Sequence, residues 1–142
     1  MANLLILPLM MAFFTAALAL LWRTHRRLQR VLAVVGATGI LASGVALVAV
    51  VWQTGPLVLE LGNWPAPFGI VFVADMLSAI LVTLTGVVGL AVVVFSLATI
   101  DQQRERFAYF PLLLILLMGV CGAFLTGDIF NLYVWFEVLL IA

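Results

Sequence analysis

Lysine is absent from the 142 residues, cysteine and histidine occur once each, and only 8% of positions are charged, against about 25% in an average soluble domain. Six arginines and six acidic residues cannot clothe the surface that a soluble domain of this length exposes, so a water-soluble fold is excluded. With formal charge zero, nothing suggests a nucleic-acid partner or a basic arm. A lone cysteine, Cys121, rules out an intrachain disulfide and a thiolate metal cluster, and in its apolar run it reads as small core packing. A Gly-rich phosphate loop, His/Cys metal spacing and a Ser/His/Asp set are all missing, so neither a soluble-type active site nor a cofactor has support.

What is present is apolar. Hydrophobic residues make up 67% of the chain, against about 45 to 50% in soluble domains, and the mean hydropathy is +1.35. A spanning helix needs about 20 such residues, because about 30 Å of hydrocarbon is crossed at 1.5 Å per residue. The spacing predicts an all-α, polytopic transmembrane bundle forming one domain over residues 1–142, with helices at about 4–22, 31–52, 76–98, 107–126 and 129–142. The first run has its positive charges after it, at Arg23, Arg26, Arg27 and Arg30, whereas a secretory signal carries them before; it reads as a retained helix. His25, beside Trp22, reads as an interfacial anchor.

Gly36, Gly39, Ser43 and Gly44 in the second run, and Gly119 with Ala123 in the fourth, would let neighbouring helices approach closely. Between residues 53 and 68, Gly55, Pro56, Gly62, Pro65 and Pro67 require a non-helical connection, with a short strand expected at 57–61. Residues 69–100 form an apolar run broken only by Asp75 and too long for one span. Asp101, Arg104, Glu105 and Arg106 read as a solvated loop with local ion pairs. Arginine-rich short loops stay cytoplasmic; residues 23–30 and 101–106 are therefore expected inside, and the N-terminus, residues 53–68 and residues 127–128 outside. The last 14 residues amount to about 21 Å of helix, too short to span, which suggests the beginning of a longer subunit.

Function must come from the few polar residues within the spans. Glu137 lies eight residues inside the fifth helix, about 12 Å deep and near the bilayer midplane. A charge there costs about 2.5 to 3.5 kcal/mol on insertion scales, which marks Glu137 as a candidate proton relay, or else as a protonated group fixed in an interhelical bond. Tyr133, one turn earlier, is its polar neighbour. Asp75 and Asp128 stand at helix starts. Each reads either as an ion-pathway carboxylate or as a helix N-terminal charge and cap.

Asn63-Trp64-Pro65-Ala66-Pro67-Phe68-Gly69-Ile70 and Asp75-Met76-Leu77-Ser78, together with Gly122-Ala123-Phe124-Leu125-Thr126-Gly127-Asp128-Ile129-Phe130-Asn131-Leu132-Tyr133-Val134-Trp135-Phe136-Glu137, resemble the D subunit of Mrp-type multisubunit sodium/proton antiporters. That subunit is similar to the proton-pumping antiporter-like subunits of respiratory complex I. The resemblance implies a transporter subunit rather than an enzyme, although a NADH-quinone oxidoreductase label could attach to it by homology. It implies a hetero-oligomer in the cell membrane, exchanging cytoplasmic Na+ for external H+, with other antiporter subunits as partners. In that family the fifth-helix glutamate, by motif Glu137, is essential and pairs with a lysine on the seventh helix; no lysine occurs here. A structural or accessory subunit, and a redox-complex subunit without redox groups of its own, are the competing expectations.

Overall fold

The computed structural model describes residues 2–63 and 69–142. After a 3-10 turn at Ala2–Ile6 come α1 (Leu7–Leu21), α2 (Arg26–Thr54), the strand β1 (Leu57–Glu60), β2 (Val71–Ala74), α3 (Met76–Thr99), the short α4 (Gln102–Arg106), α5 (Tyr109–Leu125) and α6 (Ile129–Ile141). Three stretches, Asn3–Leu21, Arg26–Thr54 and Met76–Thr99, are long and apolar enough to cross a membrane; α5 and α6 are apolar but shorter. The chain is a polytopic helical membrane bundle.

α2 and α3 form the most extensive helix pair, with α1 and α5 against them and α6 on α5. Glycines set the α2/α3 separation from both sides. A Cβ on Gly86 would stand 2.5 Å from Leu41 Cα, and one on Gly44 would stand 2.8 Å from Thr83 Cα. Backbone therefore touches backbone where the helices cross, the contact that small residues permit in an apolar solvent. Leu5, Leu9, Ile40, Leu47, Phe72, Leu117 and Leu125 fill the main core. Ala33, Ala37, Val93 and Phe110 form a second cluster. Large apolar side chains such as Val45, Leu84 and Phe95 face outward, where hydrocarbon rather than water is their solvent.

Two stretches differ from the sequence expectation. α2 begins at Arg26 rather than residue 31, so three of the four arginines lie in its first turns and the connection to α1 is only residues 22–25. At 29 residues it is about 43 Å long, more than about 30 Å of hydrocarbon, and the arginine-bearing turns project past the apolar layer. The 69–100 run divides at Asp75: β2 pairs antiparallel with β1, Leu57 opposite Ala74 and Glu60 opposite Val71, and α3 follows directly. Residues 64–68, the whole of the Trp-Pro-Ala-Pro-Phe motif, lie outside the described residues.

Glu105 also departs from expectation. It is 1% exposed, not solvated, and Arg30 grips it in bidentate fashion, Nε donating to Oε1 at 2.7 Å and Nη2 to Oε2 at 3.1 Å. This pair ties the start of α2 to α4, 75 residues apart in sequence.

Candidate functional site: the α5–α6 unit

The turn between α5 and α6 is built by short polar side chains that occupy the free N–H groups of a helix start. Asp128 caps α6: its Oδ1 accepts from Asn131 N at 2.6 Å, while Oδ2 accepts from Val71 N at 3.1 Å on β2. Thr126 Oγ1 accepts from Asn131 Nδ2 at 2.9 Å, and Gly127 N donates to Val71 O at 2.7 Å. The end of α6 is thus fastened to the hairpin. Asn131, 4% exposed, belongs to this anchor although nothing in its spacing singled it out.

One face of α6 seats on α5. Trp135 lies directly against Gly122, where any Cβ would collide with its indole, and Leu139 and Val138 lie over Gly119. Gly119 of the expected small-residue pair thus lies against α6, and Gly122 joins it at the contact. Phe72 meets the Trp135 ring at 6.3 Å between centroids. Trp135 Nε1 is buried without an acceptor and stands beside an apolar cavity of about 500 Å³ that Phe72, Met118 and Leu9 help to line.

Glu137 and Tyr133 are off this seating face. Glu137 is half-buried and Tyr133 is 63% exposed. Beside them Phe130, Val134, Leu140 and Ile141 present an outward apolar surface. Among the described residues Glu137 has no ion-pair partner, and no group of three or more His, Cys, Asp or Glu is arranged for a metal ion.

The other two carboxylates are held as caps. Asp75 Oδ1 accepts from Ser78 N at 2.7 Å and from Ser78 Oγ at 2.8 Å, while Asp75 N donates to Ser78 Oγ at 2.9 Å, a reciprocal capping box at the start of α3. These bonds from Ser78 favour the charged form and hold the Asp75 carboxyl below its usual value. Asp75 and Asp128 therefore share the hairpin end of the bundle, each through β2 or its flank. Glu137 sits nine residues further along α6, about 13 Å away along its axis. Tyr133 joins Glu137 on one face; neither aspartate does.

Comparison with known proteins finds kinship along the whole chain. No protein-family profile matches. The D subunit of the Na+/H+ antiporter of Alkalihalophilus pseudofirmus is 46% identical over 142 residues, all of this chain and 29% of that protein. The chain thus spans under a third of the length of the curated relatives it matches. Among solved structures, the Mrp complex of a Dietzia species superposes with TM-score 0.85 at 30% identity, covering 99% of this chain and 26% of the other. The membrane-bound sulfane sulfur reductase, an archaeal respiratory membrane complex, gives 0.83 at 30% identity, covering 99% of this chain and 28% of that one.

Proposed function

Homologous over all 142 residues to a segment of the D subunit of Mrp-type Na+/H+ antiporters, the chain supplies, we propose, one proton-relay carboxylate, Glu137, to the cation/proton pathway of such an antiporter in the cell membrane. The observation that carries this is the placement of Glu137. An acidic side chain stands two turns inside an apolar helix, on the side not used to seat that helix on α5 and without a basic partner among the described residues.

A carboxylate in low dielectric resists ionisation, whereas a cation brought close favours it, each effect amounting to as much as several pKa units. Movement of a basic group toward and away from Glu137 would release and recapture one proton. The magnitudes are commensurate: one pKa unit is about 1.36 kcal/mol, and one charge crossing 100 mV is worth about 2.3 kcal/mol. A swing of about two units therefore spans a membrane potential. Tyr133, one turn away, extends the polar surface toward the α6 start. Asp75 and Asp128 serve this pathway by fixing helix starts; the basic partner and the other antiporter subunits complete it.

Two substitutions in the complete antiporter test the relay. Glu137→Gln keeps volume and hydrogen-bonding groups but cannot titrate, so assembly is retained and Na+-dependent H+ exchange in vesicles is lost. Glu137→Asp keeps titration with a shorter reach, so partial exchange with a displaced pH profile is expected. A purely structural glutamate gives the opposite ranking, with Gln tolerated and Asp the more damaging.

A further inference from the structure

Tyr133 stands one turn before Glu137 on α6, and both lie off the face that seats on α5. Helical side chains lean toward the N-terminus, so the Glu137 carboxyl is carried back over the turn that bears Tyr133. The Tyr133 hydroxyl lies within interacting range of that carboxyl. The rest of this surface is apolar, with Phe130, Val134, Leu140 and Ile141 exposed beside the pair. A phenol hydroxyl placed there needs a hydrogen-bond partner, and Glu137 is the group that supplies one. α5 and the hairpin, the elements packed on α6, bring no competitor among the described residues. Tyr109 of α5 is bonded to Ser96 Oγ at 2.9 Å, Cys121 is buried in the main core, and Asp128 is committed to Asn131 N and Val71 N.

We propose that Tyr133 is a positioning residue for the relay, its hydroxyl donating to the ionised carboxyl of Glu137 and so setting the pH range over which that group exchanges its proton. This rests on the relay reading of Glu137. A hydrogen bond to a charged acceptor is about twice as strong as one to a neutral acceptor, so the hydroxyl favours the carboxylate over the carboxylic acid. A phenol also stays neutral up to about pH 10. It supports the charge without the fixed ion pair that a basic side chain would make, and the carboxyl remains open to reprotonation when the basic group withdraws.

The test is the pH dependence of Na+-dependent H+ exchange by the complete antiporter in vesicles. Without the donor the carboxyl ionises less readily, so Tyr133→Phe should move the pH of half-maximal exchange upward by about one unit. A ring-fluorinated tyrosine in place of Tyr133 keeps the shape of the side chain and is a stronger donor. It should move that pH downward, a displacement that a packing role would not produce. Glu137→Asp withdraws the carboxyl from the hydroxyl by one methylene, so Tyr133→Phe in that background should add no further shift. Should Tyr133→Phe impair assembly, the fluorinated protein carries the test. A profile unmoved in either variant, or a full further shift on Glu137→Asp, with Glu137→Gln inactive, would overturn the inference and leave the relay standing. Full exchange in Glu137→Gln would overturn both.

Discussion

At the scale of single residues, the polar groups sort by what already satisfies them. Asp75 has four hydrogen bonds from or to Ser78, and losing an N-cap acceptor costs about 1 kcal/mol. Asp75→Ala should lower stability by about that amount, with Asp75→Asn closer to the parent, as thermal unfolding of the complex would show. The sign of the pH effect follows from a depressed carboxyl: the contribution is present above the unfolded value of about 3.9 and is lost as pH falls through the lower folded value. Asp75→Asn should remove that acid sensitivity. Asp128→Asn likewise keeps an acceptor for Asn131 N, so exchange activity should survive it, whereas a transporting carboxylate would not tolerate the change. Glu137 is the one acidic residue in the α5–α6 unit whose bonding does not explain its presence.

Elements show which features the sequence carried in readable form. The start of α3 was legible because Asp75 alone breaks the apolar run and a helix N-terminus favours a negative charge, and that of α6 because Asp128 precedes an apolar run; the capping box with Ser78 came from the structure. β2 was hidden, since four apolar residues ahead of a spanning helix have no periodicity that separates strand from helix. The early start of α2 was hidden as well. Arginine favours helices, but its charge marked a loop, and only the distant Glu105 shows why those turns are ordered. Removing one partner of such a pair strands the other, at about 3 to 5 kcal/mol when both are buried; Arg30 is 40% exposed, so solvent screening reduces this. Arg30→Ala should therefore destabilise by about 2 kcal/mol, and Arg30→Met with Glu105→Leu should recover most of the loss in thermal unfolding. At the α2/α3 crossing, Gly86→Val should prevent close packing and lower the yield of assembled complex in blue-native gels, because the atoms that a side chain would meet are backbone.

Over the whole molecule, charge and polarity are segregated. The arginines occupy one end, the capped aspartates and the hairpin the other, and Glu137 lies between them. The arginine bias predicts that the first end faces the cytoplasm. In a cysteine-free background of the complete complex, a cysteine at exposed Gln103 should resist an impermeant thiol reagent in intact cells, and one at Val58, 55% exposed, should react; the reverse would invert the topology. Of the candidate site, the sequence singled out Glu137 as an acidic residue well inside an apolar helix, while its separation from both aspartates came from which face of α6 seats on α5. In the proposed relay Glu137 changes protonation during transport. The most direct measurement is the infrared difference spectrum of the complete antiporter on addition of Na+. A protonated-carboxyl band that changes in the parent and is missing from Glu137→Gln is the predicted result; an identical spectrum in both, with exchange intact, would contradict it.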